Sequence, residues 1–266
     1  MAVASLKDLF DAGVHFGHPT NRWNPKMKPF IYMARSKIHI IDLEKSASGL
    51  QEACDFARDL ALNNREVLFV GTKKQAQEIV EQEASRVGMP FVNQRWLGGM
   101  LTNYATISQR LAKMKEMESE QANDAWQSFS KKEVGRLQDR LAKLQRFLNG
   151  IRDMHRLPSA LYVVDTVREH IAVAEAQKLG IPVIALLDTN CDPDHVDYSI
   201  PGNDDAIKSI RLITRLIANA IHSGQELRAA QASEAEAESA VDAVAADPDA
   251  EADAETAEAT AEDDEG

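Results

Sequence analysis

Short apolar runs alternate with segments of helical periodicity along most of this chain. The runs VLFVG at 67–71, ALYVVD at 160–165 and PVIALLD at 182–188 are continuous, as is typical of strands buried on both faces of a sheet. The first two precede segments in which apolar residues recur every three or four positions, as on one face of a helix. This alternation predicts an α/β fold with a doubly wound, Rossmann-like parallel sheet covered by helices on both faces.

The alternation stops between residues 104 and 154. Apolar residues there recur at alternating steps of three and four, which is the heptad pattern of a coiled coil, and residues 119–130 separate two such seams. The second seam consists of Val134, Leu137, Leu141, Leu144, Leu148 and Ile151. We therefore predict an antiparallel coiled-coil hairpin at 104–154, inserted into a discontinuous globular domain formed by residues 1–103 and 155–225.

A basic and aromatic arm occupies residues 13–39, which contain no acidic residue. Its prolines argue against a continuous helix. Extended segments of this kind follow a phosphate backbone and offer faces on which bases stack. The alternative is an irregular arm whose aromatic side chains pack on the domain while its charges are solvated. The candidate RNA-binding residues in the arm are His15, His18, Arg22, Trp23, Lys26, Lys28, Arg35 and Lys37. The two histidines do not indicate a metal, since no further ligand is near them at ligand spacing.

The segment RWLGGMLTN at 95–103 follows a short predicted strand and precedes a helix. Its two glycines indicate a rigid turn, and Thr102 or Asn103 is suited to cap the helix that follows. Arg95 and Trp96 on such a turn offer a phosphate contact and a stacking face, so both join Asn103 among the candidate RNA-binding residues. The alternative is that Trp96 plugs the base of the helical hairpin while Arg95 is solvated.

Two loops of the predicted sheet lie where α/β proteins bind small ligands such as a nucleotide or a metal ion. The sequence GTKK at 71–74 lies where phosphate-binding loops lie, but it lacks the glycine spacing of nucleotide-binding motifs. Lys73 and Lys74 are therefore candidates for an RNA phosphate, and a solvated first helical turn is the alternative. Carboxylates after the last strands offer ligands for a divalent cation, although turn formation and helix capping explain them too. The candidate metal ligands are Asp188, Asp204 and Asp205.

Charge is distributed unevenly along the 266 residues. The net charge is −12, but residues 229–266 contain 14 acidic residues and no Lys or Arg. Removing these from the 42 acids of the chain leaves 28 acids against 30 bases, so residues 1–228 are weakly basic. The tail from residue 226 has too few apolar residues to offset the cost of ordering, and we predict that 226–266 is disordered.

Two features bear on the compartment of the protein. The chain has two cysteines, and no segment resembles a signal peptide or a membrane span. A reduced, cytoplasmic protein with no membrane partner is the simplest interpretation.

Six segments in the same order resemble the bacterial family of small-subunit ribosomal protein number two. They are GVHFGH at 13–18, WNPKMKPFIY at 23–32, LFVGTKK at 68–74, RWLGGMLTN at 95–103, GIPVIALLDTNCDPD at 180–194 and IPGNDDAI at 200–207. The resemblance implies a Rossmann-like or flavodoxin-like domain with an inserted coiled-coil hairpin. It also implies a cytoplasmic, ribosome-bound structural protein that binds 16S rRNA, contacts other small-subunit proteins, and helps recruit the large ribosomal protein number one for translation initiation.

An enzyme or nucleotide-binding protein is the other class that such a sheet permits. The sequence offers no nucleophile and base pair, no phosphate cradle and no cofactor fingerprint. We therefore expect no enzymatic activity and no cofactor, with a divalent metal at the acidic loop as the one alternative left open.

Overall fold

A five-stranded parallel sheet forms the centre of the protein. The computed structural model describes residues 4–245, except for the side chains of Gln127 and of residues 234–245. The strands are β4 (Val67–Val70), β5 (Phe91–Val92), β6 (Ala160–Val164), β7 (Val183–Leu187) and β8 (Tyr198–Pro201). Their order is β5-β4-β6-β7-β8, and every neighbouring pair is parallel. This order is that of flavodoxin-like sheets, whose ligand position lies between the strands here numbered β4 and β6.

Helices cover both faces of this sheet, which confirms the doubly wound prediction. On β6, Tyr162 and its alternate neighbours pack on one face with α2 (Leu43–Leu62), α3 (Gln77–Arg86) and α7 (Ile207–Ala245). Leu161 and Val163 point to the other face, toward α6 (His170–Leu179) and the segment that follows β5. Because both faces are buried there, β4, β6 and β7 are apolar at every position, which is the pattern that predicted them.

The arm is more ordered than the sequence indicated. After α1 (Leu6–Asp11), strands β1 (Phe16–Pro19), β2 (Ile31–Arg35) and β3 (Ile38–Ile41) form an antiparallel sheet of order β1-β3-β2. A 3-10 helix, Pro25–Phe30, contains the prolines that exclude a continuous helix. The two residues between β2 and β3 both have positive φ, as in the tight turns that suit a hairpin.

Two helices occupy the predicted hairpin. They are α4 (Tyr104–Ala122) and α5 (Lys131–Leu148), joined through a 3-10 helix at Ala125–Ser128. Ser130 starts α5 with a capping box to Glu133. Gln145 on α5 donates to Glu118 on α4 at 2.8 Å, which fits the antiparallel arrangement of the pair. Coiled-coil supercoiling of this pair stays a prediction.

The final helix extends beyond the predicted start of the tail. The chain divides into a globular unit ending at Gln225 and a second unit that begins at Glu226, and α7 continues to Ala245. Residues 226–245 are therefore helical in the structure, although we predicted disorder from residue 226. Ala and Glu dominate this stretch and both have high helix propensity, which explains the difference. The remaining part of the predicted tail, 246–266, lies outside the described residues.

No helix among residues 4–245 is long and apolar enough to cross a lipid bilayer.

Candidate functional site

The loop between β5 and α4 is held around one carboxylate from α6. Glu175 Oε1 accepts the indole N–H of Trp96 at 3.1 Å and the backbone N–H of Gly99 at 2.7 Å. Its Oε2 accepts the backbone N–H groups of Leu101 and Thr102 and the Thr102 hydroxyl, each at 3.0 Å. One side chain therefore fixes both the indole and the turn that leads into α4.

The geometry of this loop favours the charged form of the carboxylate. Burial raises the pKa of Glu175, but the N–H groups of Thr102, Gly99 and Trp96 outweigh it, so the pKa lies below its ordinary value of 4.5. Gly99 has φ of 86°, a backbone region that favours glycine, and its N–H points to the carboxylate. Asn103 holds the N-cap position of α4, but its side chain makes no capping hydrogen bond, so the predicted cap is wrong for this residue.

Trp96 and Arg95 are adjacent in the chain but differ in exposure. Trp96 is 6% exposed and packs in the apolar cluster that contains Met100 and Leu101. Arg95 is exposed. The arrangement is the one in which the tryptophan plugs the base of the hairpin, so its ring is covered and offers no stacking face to RNA.

Lys73 lies among carboxylates rather than on the surface. Its Nζ is 2.7 Å from Asp204 Oδ1, 2.6 Å from Asp205 Oδ1 and 3.3 Å from Asp165 Oδ2. Burial opposes the charge on the ammonium, but the carboxylates, Asp204 foremost, outweigh it and hold the pKa of Lys73 above its ordinary value. This ion pairing disfavours a contact between Lys73 and an RNA phosphate, which stays a prediction. Lys74 is exposed.

Two of the candidate metal ligands, Asp204 and Asp205, contact this lysine. Asp204 is completely buried, and burial together with the charges of Asp165 and Asp188 raises its pKa to about 7 although Lys73 opposes the shift. Asp165 follows β6 directly and has φ of 68°, an uncommon conformation for a residue with a side chain. The carboxyl ends of β4, β6 and β8 thus meet at one cluster of opposite charges.

The turn after β4, where a nucleotide-binding fold holds a phosphate, is closed by a carboxylate. Glu169 Oε1 accepts the backbone N–H of Thr72 at 2.8 Å and the Thr72 hydroxyl at 2.5 Å. The same hydroxyl accepts Arg168 Nε–H at 3.1 Å. Burial raises the pKa of Glu169. Because an acidic side chain takes the donors that a phosphate needs, the geometry disfavours a nucleotide at this turn.

His18 reaches the same edge of the sheet from β1. Its backbone N–H donates to Asp188 Oδ1 at 3.1 Å, and its Nδ1 is 2.9 Å from Asp188 Oδ2. Its Nε2 is 3.5 Å from Asp205 Oδ2. The hydrogen bond to Asp188 is the largest influence on the pKa of His18, which is raised despite burial. His18 therefore does have potential metal ligands beside it, contrary to the expectation from local spacing, because the fold brings in Asp188 and Asp205, which are remote in sequence.

The cations of the arm differ in their surroundings. Lys26 is exposed, but its Nζ is 2.8 Å from Asp192 Oδ2 and 2.5 Å from Asp194 Oδ2. Four other cations of the arm are exposed and form no ion pair with any side chain that the structure describes: Arg22, Lys28, Arg35 and Lys37. The uncompensated positive charge of the arm is therefore carried by these four residues.

Two aromatic contacts complete the arm. Trp23 is 36% exposed, and its ring lies 5.2 Å from that of His39. His15 is buried, with its ring 4.5 Å from Phe10 and 4.1 Å from Phe16. Trp23 is therefore partly accessible, whereas the ring of His15 is covered by its two aromatic neighbours. This packing disfavours His15 as an RNA contact, which stays a prediction.

Three acidic residues on which this geometry depends were not predicted from the sequence: Glu175, Glu169 and Asp165. Glu175 lies between Ala172, Val173 and Ala176 on the buried side of α6. Helical periodicity predicts an apolar residue at position 175. The glutamate found there is a signal, present in the sequence, of a buried charge with hydrogen-bond partners.

The chain matches a family model described as "Ribosomal protein S2" over residues 9–224. It belongs to the ribosomal protein S2 family. The matched region ends within α7, one residue before the end of the globular unit, so it includes the arm, the sheet and the hairpin.

Curated relatives give the same result at high identity, and three are described as "Small ribosomal subunit protein uS2". The protein from Corynebacterium urealyticum is 54% identical over 243 residues, 91% of this chain and 90% of the relative. The one from Acidothermus cellulolyticus is 58% identical over 231 residues, 86% of this chain and 84% of the relative. The one from Mycobacterium tuberculosis is 57% identical over 229 residues, 86% and 80% respectively.

Membership in this family decides between the two functional classes that the sequence left open. The ribosomal protein S2 family is a structural component without enzymatic activity. The carboxylate cluster at the sheet edge therefore needs an explanation other than catalysis.

Proposed function

We propose that this protein is a component of the small ribosomal subunit that binds 16S rRNA through its N-terminal sheet and contacts other small-subunit proteins. In this role it helps to recruit the large ribosomal protein number one. The observation that carries the proposal is the set of exposed arm cations without acidic partners among the described residues, Arg22, Lys28, Arg35 and Lys37. The names of the relatives support it, since each is a small-subunit protein.

The physical basis is phosphate neutralisation. An exposed Lys or Arg that has no acidic neighbour releases condensed counterions when it meets a phosphate, whereas an ion-paired one has less charge to offer. By this criterion Lys26, held by Asp192 and Asp194, contributes less than Lys28 on the same 3-10 helix. Trp23 adds a partly accessible ring on which a base can stack.

The loop after β5 contributes a second contact in this proposal. Arg95 and Asn103 are exposed at either end of the turn that Glu175 holds rigid. A rigid turn costs little ordering entropy on binding, so Arg95 is suited to pair with a phosphate. Lys74 offers a further exposed cation beside the buried Lys73.

Apolar side chains near the arm support a protein partner. Phe10 is 58% exposed, Phe16 47%, Tyr32 73% and Met33 47%. Large exposed apolar side chains grouped on neighbouring elements are typical of surfaces that bind another protein. They suit contact with a neighbouring ribosomal protein, whereas the cations suit rRNA.

Sedimentation tests the proposal. The full chain should sediment with the small ribosomal subunit in a cell extract and be released as the salt concentration rises, because phosphate contacts weaken with salt. The double variant Lys28→Ala/Arg35→Ala should be released at lower salt than the unchanged protein. The matched control Lys131→Ala/Lys132→Ala changes two exposed cations of the hairpin. Absence of the protein from the small-subunit fraction would overturn the proposal. If only the control variant is released at lower salt, the rRNA contact lies on the hairpin rather than on the arm.

A further inference from the structure

Four side chains with metal-ligating atoms meet at the carboxyl edge of the sheet. They are His18, Asp188, Asp204 and Asp205, and one ligand atom from each lies within 4.8 Å of all the others. They come from β1 and from the loops after β7 and β8. In tetrahedral coordination, bonds of about 2.0 to 2.2 Å place ligand atoms about 3.3 to 3.6 Å apart, so a small contraction of this cluster suffices.

A buried oxygen without a donor points to a ligand at this position. Asp204 is completely buried, and its Oδ2 has no hydrogen-bond partner among the residues that the structure describes. Lys73 engages the other oxygen, Oδ1, of Asp204 and also Oδ1 of Asp205. A buried carboxylate oxygen without a partner is costly, because it has lost water and gained nothing in exchange.

Helix capping does not account for the two aspartates at the start of α7. The turn before this helix is made by Asn203, whose Oδ1 accepts the backbone N–H groups of Asp205 and Ala206 at 2.8 and 3.0 Å. Asp204 Oδ2 and Asp205 Oδ2 therefore accept no backbone hydrogen bond that the structure shows, and Asp205 Oδ2 lies 3.5 Å from His18 Nε2. One carboxylate oxygen of Asp204 also lies within 4.8 Å of a ring nitrogen of His18.

Asp188 differs from the other two aspartates because both its oxygens are engaged. Its Oδ1 accepts the backbone N–H groups of His18 and Thr189, and its Oδ2 lies 2.9 Å from His18 Nδ1. A carboxylate that accepts a hydrogen bond from one ring nitrogen of a histidine fixes the tautomer and the orientation of the ring. The other ring nitrogen is then available to bind a metal ion, an arrangement that is common at metal-binding histidines. Here the other nitrogen is Nε2, which lies 3.5 Å from Asp205 Oδ2.

We propose that His18 Nε2, Asp204 Oδ2 and Asp205 Oδ2 bind a divalent transition-metal ion such as Zn²⁺, with Asp188 orienting the histidine. Three carboxylates, those of Asp165, Asp204 and Asp205, lie within 3.3 Å of the single ammonium of Lys73, so a divalent cation offsets the excess negative charge. An imidazole among the ligands favours Zn²⁺ over Mg²⁺, which prefers oxygen ligands alone. The ion ties β1 to the loop after β8 and stabilises the base of the RNA-binding arm, independently of whether the arm binds RNA.

Metal titration of the untagged full chain tests the site. After removal of metal with a chelator and dialysis, Zn²⁺ binding is measured by calorimetry and by elemental analysis of the gel-filtered protein. We expect about one ion per chain and a rise in melting temperature with Zn²⁺, since an ion that binds the folded state alone stabilises it. His18→Ala and Asp204→Asn should abolish stoichiometric uptake, and Asp188→Asn should weaken affinity by about 10- to 100-fold.

The controls separate this site from general surface binding. His195→Ala and Asp194→Asn alter the same residue types in an exposed acidic region and should bind Zn²⁺ as the unchanged protein does. Circular dichroism checks that each variant is folded. The intensity of Co²⁺ absorption in the unchanged protein distinguishes four-coordinate from six-coordinate binding, so the test does not depend on a variant that fails to fold. Equal Zn²⁺ uptake by folded His18→Ala overturns the proposal. So does Mg²⁺ binding that exceeds Zn²⁺ binding, or the absence of uptake by the folded unchanged protein.

Discussion

Glu175 accepts the indole N–H of Trp96 at 3.1 Å, and this contact joins α6 to the loop that opens the helical hairpin. Both residues are buried, and the same carboxylate holds four further donors from the backbone and side chain of that loop. The loop is therefore positioned by a charge on α6, which is remote in sequence, rather than by its own residues.

Removing the charge of Glu175 should destabilise the protein strongly. Glu175→Gln keeps the shape but replaces one acceptor oxygen by a donor that faces N–H groups, and we expect a loss of at least about 3 kcal/mol in the free energy of unfolding. Glu52→Gln on the exposed side of α2 is the matched control and should change it by less than about 0.5 kcal/mol. Urea unfolding measures both. Equal effects of the two substitutions would show that the buried carboxylate does not organise the loop.

The same residue should contribute to acid sensitivity. The folded-state pKa of Glu175 lies below its ordinary value of 4.5, so folding favours the ionised form. Its contribution is complete above pH 4.5 and is lost as the pH falls through the lower, folded-state pKa. The difference in unfolding free energy between the unchanged protein and Glu175→Gln should therefore be constant near neutral pH and shrink on acidification. A difference that grew as the pH fell would contradict the direction of this shift.

Trp96 and Arg95 should differ in what their substitution changes: stability for Trp96 and RNA binding for Arg95. Trp96→Ala removes a buried ring and should cost about 3 to 5 kcal/mol of stability. Arg95→Ala, at an exposed position, should change stability by less than about 0.5 kcal/mol while weakening binding to 16S rRNA. Thermal unfolding and filter binding measure the two quantities. A Trp96→Ala protein of unchanged stability with weakened RNA binding would restore the stacking role that the sequence suggested.

Local patterns predicted the sheet because strands buried on both faces are apolar throughout. The same patterns missed the N-terminal sheet, since β2 is mostly exposed and the prolines of the preceding 3-10 helix resemble those of an irregular segment. Local patterns also placed Lys73 among the candidate RNA contacts. A lysine near the start of a helix gives the same local pattern whether its side chain is solvated or buried. Its partners Asp165 and Asp204 follow other strands, so their proximity depends on the strand order and cannot be inferred from local spacing.

The tail should be dispensable for folding. Truncation of residues 229–266 removes 14 acidic residues and no aromatic, leucine or isoleucine side chain. We expect the melting temperature of the remaining chain to be unchanged, together with its incorporation into the small subunit, because little apolar surface is removed. Non-specific RNA binding by the free protein should increase, since the deleted charge is repelled by phosphate. A large drop in melting temperature would show that these residues stabilise the globular unit.

The arm cations should differ in their salt dependence according to their acidic neighbours. Each phosphate contact adds about 0.7 to 0.9 to the slope of log affinity against log salt, for single strands and duplexes respectively. Lys28→Ala/Arg35→Ala should therefore weaken binding to 16S rRNA and flatten the slope by about 1.4 to 1.8. Lys26→Ala should change the slope less than Lys28→Ala or Arg35→Ala alone, because Asp192 and Asp194 already hold the Lys26 ammonium.

Trp23 provides an uncharged comparison within the same arm. Its ring is 36% exposed, and a base stacked on it contributes about 1 to 3 kcal/mol without any change in counterion release. Trp23→Ala should lower the affinity at every salt concentration and leave the slope unaltered, provided that circular dichroism shows an intact fold.

If the Lys28 and Arg35 substitutions leave both affinity and slope unchanged, the arm is merely solvated, and the contacts must be sought on Lys74, Arg95 and the hairpin. If Lys26→Ala flattens the slope as much as Lys28→Ala does, the ion pairs with Asp192 and Asp194 open on binding, because only a lysine released from its carboxylates can displace that number of counterions.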